Sequence, residues 1–309
     1  MRGALRVTLV AAVVCGWAAM PAPADVFSVD RFSVSADPAD LLVPGPFVHV
    51  WRNNLGLNPA PFVDDVDALS QGFDVVTFEQ CPDIIYFSVD RQSMGVPGTP
   101  VRWQWQGNVQ GPDTFVTVNG NGVMWPPVGF NALDVPAGQF GLLPCEDNLD
   151  AYSMEEFDYN QDKIQDTWVY FSLDAASPSL GGLSPADILV SDAYPNHGSF
   201  RVYADHLSMG LLADDDIDAL ALLTEHLGLP PGAYFSLAPG SPSLAVWGAS
   251  AADVFYSAFG GASVVAYPAV SLGLLFDDNV DALETNAWVP EPSGLLLLMA
   301  AVAFARRRR

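Results

Sequence analysis

Positive charge is what this sequence most lacks. Only 12 of its 309 residues are Lys or Arg, against 36 Asp or Glu. Between residues 25 and 289 the deficit deepens. There Arg31, Arg52, Arg91, Arg102, Arg201 and Lys163 face 35 acidic side chains, six against 35, a formal charge of −29. Neutralising phosphates needs a basic surface, so the composition argues against a nucleic-acid partner. Such a body repels anionic polymers and attracts calcium or basic surfaces. Local signatures of catalysis are missing too. The four histidines, His49, His197, His206 and His226, stand in neither an H-E-x-x-H nor an H-x-H pattern. No Cys/His cluster suits zinc, and there is no G-x-S-x-G elbow, Walker-type loop or dinucleotide fingerprint. Long helical patterns are also absent, the longest candidate being Asp218–Leu227. What is abundant is Pro (25) and Gly (26), punctuating short apolar runs in a chain that is 50% hydrophobic. That combination supports a folded core built from many short strands and turns.

The body repeats itself four times. An aromatic-Ser strand recurs at Val26-Phe-Ser-Val-Asp30, Tyr86-Phe-Ser-Val-Asp90, Tyr170-Phe-Ser-Leu-Asp174 and Tyr234-Phe-Ser-Leu-Ala238. Each is followed by a small residue or Pro, an Asp and an apolar run, at Asp40, Asp113, Asp187 and Asp253. A third run alternates aromatic and aliphatic residues: Phe47–Trp51, Phe200–Tyr203 and Ser263–Tyr267, blurred in the second unit. The fourth signature is an acidic turn into a strand: Asp64-Asp-Val-Asp-Ala-Leu69, Asp147-Asn-Leu-Asp-Ala-Tyr152, Asp215-Asp-Ile-Asp-Ala-Leu220 and Asp278-Asn-Val-Asp-Ala-Leu283. The units run over about 26–85, 86–169, 170–233 and 234–285, the second lengthened by an insertion. Four short strands in each of four units predict an all-β fold, a small β-propeller, with paired β-sandwiches as the alternative. Repeated aspartates are read as turn formers, because their carboxylates hydrogen-bond backbone amides and a repeat needs the same turn each time. Ser28, Ser88, Ser172 and Ser236 are read as packing residues on the shared strand.

Two segments stand outside the repeat. Asp158-Tyr-Asn160-Gln-Asp162-Lys-Ile164-Gln-Asp166 spaces oxygen donors as a calcium loop does. The carboxylates of Asp158, Asp162 and Asp166, the Asn160 amide and the Ile164 carbonyl are its candidate ligands. Over these nine residues it resembles the hairpin calcium loops of integrin-type FG-GAP blades. It departs from them at Lys163, where those loops carry Gly. Trp103 and Trp105 alternate, which on a strand puts both rings on one side, either in the core or offered to the faces of sugar rings.

The two ends carry addressing signals. Residues 1–24 join a basic head, an apolar run and Ala22-Pro-Ala24, the pattern of a secretory signal peptide cleaved before Asp25. Residues 286–309 contain Val289-Pro-Glu-Pro-Ser293, an apolar run from Gly294 to Ala305, and Arg306–Arg309. The run is short for a comfortable span, and four terminal arginines hold the cytoplasmic side. In sequence this tail resembles the PEP-CTERM sorting domain. The resemblance implies recognition of Pro290, Glu291 and Pro292 by an exosortase after signal peptidase has acted. It also implies a membrane-anchored precursor and a mature form at the cell surface or in the extracellular matrix. Cys15 leaves with the signal peptide, and Cys81 and Cys145 remain as an even pair and a disulfide candidate in an oxidising compartment.

These readings together predict an exported, non-catalytic surface or matrix protein, with calcium as its ion and extracellular polysaccharide as a candidate partner. The alternative is a secreted propeller hydrolase acting on an extracellular polymer, its acids brought together from distant units.

Overall fold

The four acidic turns lead into four strands that meet at the centre of the molecule. A computed structural model describes residues 26–45, 47–58, 64–70, 84–117, 131–157, 166–194, 198–224 and 230–285. Within them lie sixteen strands in four antiparallel sheets of four. The first sheet joins β1 (Val26–Val29), β2 (Leu41–Val43) and β3 (Phe47–Val50) to the last strand, β16 (Val280–Glu284). The second runs β4 (Ala68–Ser70), β5 (Ile85–Ser88), β6 (Phe115–Thr117) and β7 (Ala132–Leu133). The third runs β8 (Leu149–Phe157), β9 (Asp166–Leu173), β10 (Ile188–Tyr194) and β11 (Phe200–Ala204). The fourth runs β12 (Ile217–Leu223), β13 (Gly232–Leu237), β14 (Val254–Ser257) and β15 (Ser263–Tyr267). Strands β4, β8, β12 and β16 lie against one another around the axis. The fold is a four-bladed β-propeller, not paired sandwiches.

Each sequence unit lends its acidic strand to the blade that follows. Because the chain is finite, the last such strand, β16, pairs with β1, joining Val26 to Glu284 and Phe27 to Leu283. The ring is thereby closed by a sheet that contains both ends of the body, which leaves no open inner edge.

The repeated phenylalanines occupy one structural position. Phe27 lies between Leu283 and Leu42, Phe87 between Leu69 and Phe115, Phe171 between Tyr152 and Leu189, and Phe235 between Leu220 and Phe255. All four are fully buried. The serine after each phenylalanine ties its blade to the next. Ser28 donates to the Val66 carbonyl, Ser88 to Leu149, Ser172 to Ile217 and Ser236 to Val280, at 2.7, 3.5, 2.8 and 2.6 Å. These hydroxyls are buried and spoken for, in keeping with a packing role.

A second set of blade contacts runs round the outside. The amides of Gly45, Gly198 and Gly261, in the β2–β3, β10–β11 and β14–β15 hairpins, donate to Leu272, Gln139 and Ser208 in one-turn helices. Approach there is close. A Cβ at Gly210, whose φ is +74°, would stand 2.7 Å from the Gly261 carbonyl oxygen, so only glycine fits.

Two local expectations fail. Residues Asp218–Leu223 do not form a helix: Ile217–Leu223 is strand β12, buried along its whole length. Apart from Asp218 the run Ile217–Leu223 is apolar throughout, so periodicity cannot tell a core strand from a buried helix. Trp103 and Trp105 are not on a strand but in an α-helix, Pro100–Gly107. Thr99 caps it by accepting from the Arg102 amide, Pro100 opens it, and Asn108 ends it at φ +57°.

Candidate metal centre

Every inner strand is entered through Asp-(Asp/Asn)-aliphatic-Asp, and each position has its own task. The first aspartate folds the turn. Asp64 accepts from the amides of Asn58, Met94 and Gly95, and Asp147 from Leu143, Ser179 and the Ser179 hydroxyl. Asp215 accepts from Leu212, Ser243 and the Ser243 hydroxyl, and Asp278 from Leu275, Val34 and the Ser35 hydroxyl. Asp278 is held below the usual carboxylate range: burial opposes its charge, and the donors from Ser35, Leu275 and Val34 outweigh it. Asp40, Asp113, Asp187 and Asp253 serve a parallel purpose, each accepting from the amide at a one-turn helix, Arg52, Ala137, His206 and Ala269. The turn-forming role expected of the repeated aspartates therefore holds for these eight.

It does not account for the others. Asp67, Asp150, Asp218 and Asp281 are turned towards the axis. Pairing with the second strand skips Asp150, Asp218 and Asp281, each the extra residue of a β-bulge. A bulge re-aims a side chain that the pleat would otherwise send into the blade. Asp67, Asp218 and Asp281 are only 6%, 7% and 8% exposed, and Asp150 is half-buried.

The second position alternates around the ring: Asp65, Asn148, Asp216, Asn279. The amide of Asn148 donates to both Asp67 and Asp150, at 2.8 and 3.0 Å, bridging neighbouring blades. Asn279 donates likewise to Asp218. Where asparagine stands, a neutral N–H2 holds carboxylates together. Where aspartate stands, a further negative charge enters the cluster. Asp65 is met by Arg31, whose amide and Nε lie 3.1 and 3.4 Å from its Oδ2. At Asp216 the matching residue is Ala175, which offers only its amide, at 3.4 Å. One side-chain oxygen at each of the four positions, the Oδ1 of Asp65, Asn148, Asp216 and Asn279, is buried without a hydrogen-bond partner.

Asp65, Asp67 and Asp281 place one carboxylate oxygen each within 4.8 Å of one another, and all three are buried. This cluster can hold a metal ion. Its donors are all oxygens, which suits a hard cation. Electrostatics show how strongly these buried carboxylates crowd one another. Burial pushes Asp65 up to about 7, with Arg31 pulling it down and Asp90 and Asp30 adding to the rise. Burial likewise takes Asp216 to about 7, helped by Asp174. Asp67, Asp150, Asp218 and Asp281 stand well above the ordinary range, first from burial and then from neighbouring carboxylates.

Of the calcium loop expected from sequence, only Asp166 is among the described residues. Asp158, Asn160, Asp162 and Ile164 fall outside the described residues, and Asp166 opens β9 opposite Phe157. Cys81 is outside them too, while Cys145 is exposed in a turn at φ +71°. Residues 1–25 and 286–309, with Pro290, Glu291 and Pro292, are likewise outside. His206 is not a free surface histidine, since its Nδ1 lies 2.8 Å from Asp187. The axial site is not visible in the sequence when the acidic turns are taken as one class. The usable signal was the pair of acids flanking one aliphatic residue at each strand entry. No family model matches this chain, and neither a curated protein nor a solved structure matches it.

The raised carboxylates set a pH dependence. In the folded state Asp65 and Asp216 hold protons up to about pH 7, whereas unfolded aspartates release them near 3.9. Between those values the folded state binds more protons, so stability falls as pH rises. In chelator, the urea midpoint is expected to drop between about pH 4 and pH 7. Asp216→Asn should flatten that slope, because an amide there can bridge Asp150 and Asp218 as Asn148 bridges Asp67 and Asp150. A midpoint that rises through this window would contradict the assignment.

Proposed function

We propose that this chain is an exported, non-catalytic surface or matrix protein, sorted through its PEP-CTERM-like tail, whose propeller closes around a bound calcium ion. The observation that carries the cation is the meeting of Asp65, Asp67 and Asp281 with their oxygens within 4.8 Å. Arg31 is the one guanidinium in contact with this triad among the described residues, and it is shared with Asp90 at 2.7 Å. Two carboxylates, Asp67 and Asp281, thus face each other with no cationic side chain between them. A divalent ion removes that repulsion, and the unpartnered Asp65 Oδ1 supplies a ligand without breaking an existing bond. Calcium is favoured over zinc because the cluster holds neither imidazole nor thiolate. Extracellular calcium modules work at about 10⁻⁴–10⁻³ M, a level suited to the compartment that the tail implies.

Burial of Asp67, Asp218 and Asp281, and the asparagine amides donated to Asp67 and Asp218, support an ion site over the acid–base pair of a hydrolase. The ion would act as a rivet: Asp281 comes from β16 in the first blade and Asp65 and Asp67 from the turn into β4 of the second, so binding would join the last strand of the body to its first sequence unit.

Calcium at ten times its Kd is expected to stabilise the fold by about 1.4 kcal/mol, a rise in Tm of roughly 3–6 °C for a body of this size. Asp67→Asn or Asp281→Asn should remove most of that rise, and Asp162→Ala should not. Thermal unfolding by circular dichroism checks this, and an indifferent Tm, or a rise lost only in Asp162→Ala, would sink the axial site. For sorting, replacing Pro290, Glu291 and Pro292 by alanine should leave uncleaved protein in the membrane fraction. Undiminished release of that variant would show that the tail is not read.

A further inference from the structure

A cavity of about 360 Å³ opens beside the second blade, between the helix Pro100–Gly107 and the outermost strand β7. Pro100, Trp103 and Gln104 form one wall, and Asn131, Ala132 and Leu133 the other. We propose that this cavity binds a neutral extracellular polysaccharide, with the indole of Trp103 stacked on a sugar ring.

The helix is longest in this blade, at eight residues. The matching connections elsewhere hold no helix in the first blade, a single turn at Pro178–Leu180 in the third, and Pro242–Trp247 in the fourth. Function in repeat folds sits on such departures, because the shared elements are committed to packing. Here the core needs only Val101, which is buried, and Trp105 is covered by Arg102, whose guanidinium carbon lies 4.3 Å from the ring centroid. Trp103 is left 60% exposed, with no packing reason for an indole.

The wall is held rigidly. Asn131 accepts from the Val101 amide at 3.4 Å and donates to the Leu55 carbonyl at 2.7 Å, pinning the helix to β7 and to the preceding blade. A fixed aromatic costs little entropy when a ligand arrives. The volume falls in the range of small-ligand clefts.

Charge chooses the ligand. Among the described residues no acidic or basic side chain lines the cavity, so none of them would compensate a charged group. The body's −29 formal charge opposes anionic polymers. A pyranose meets the remaining conditions: an apolar C–H face for Trp103, and hydroxyls for the Gln104 amide and the outer backbone edge of β7. This inference is independent of the axial ion and of tail processing.

The test is affinity electrophoresis of the protein through gels containing hydroxyethylcellulose, dextran, a soluble β-1,3-glucan or alginate, with unfolding midpoints measured in parallel. At least one neutral glucan is expected to retard the protein, and alginate is not. Trp103→Ala should weaken retardation about tenfold with an unchanged unfolding midpoint. Trp103→Phe should keep part of it, and Phe32→Ala, an exposed aromatic elsewhere, all of it. No retardation by any neutral polymer, retardation equal in Trp103→Ala, or preference for alginate would each overturn the proposal.

Discussion

Everything at the centre of this propeller follows from the proximity of like charges. Closing four blades around one axis forces four inner strands into contact, and each carries an aspartate that a bulge or strand entry turns inward. Coulomb repulsion between buried carboxylates is strong because little water screens it. It has three remedies: protons, amide donors and cations. The molecule uses the second at Asn148 and Asn279, and a guanidinium at Arg31. The first and third would compete at Asp65, Asp67 and Asp281, so pH and a bound cation are expected to act on the same residues.

Fourfold regularity and its departures divide the labour. Hydrogen bonds that repeat in every blade are structural: the serine that ties blade to blade, the aspartate that folds the acidic turn, the aspartate at each one-turn helix. Features that break the repeat are the ones with chemistry to offer. The Asp/Asn alternation reduces the ring to twofold character, and Arg31, answered by Ala175 on the other side, reduces it further. The length of the helix Pro100–Gly107 departs from the repeat at the rim, as the asparagines do at the axis.

Much of the fold was legible in the residues, and the reason is specific. A repeat writes its register four times, so Phe27, Phe87, Phe171 and Phe235 marked equivalent buried positions before any coordinates. Where a segment occurs once, that redundancy is lost. Trp103 and Trp105 alternate as on a strand, but Thr99-Pro100 just before them is a helix start and decides the local structure. The axial site was hidden for another reason. Asp65 and Asp281 are more than two hundred residues apart, and only closure of the ring through β1 and β16 brings them together. Distance along the chain said nothing of this, whereas Asp158–Asp166 was conspicuous because its donors are neighbours in sequence.

The most direct measurement is anomalous diffraction from crystals of the protein soaked in terbium, a calcium surrogate that takes the same oxygen ligands. One peak on the axis, in contact with Asp65, Asp67 and Asp281, is the predicted result. Density confined to residues 158–166, or an axis without any peak, would contradict the claim that a cation balances the inner ring.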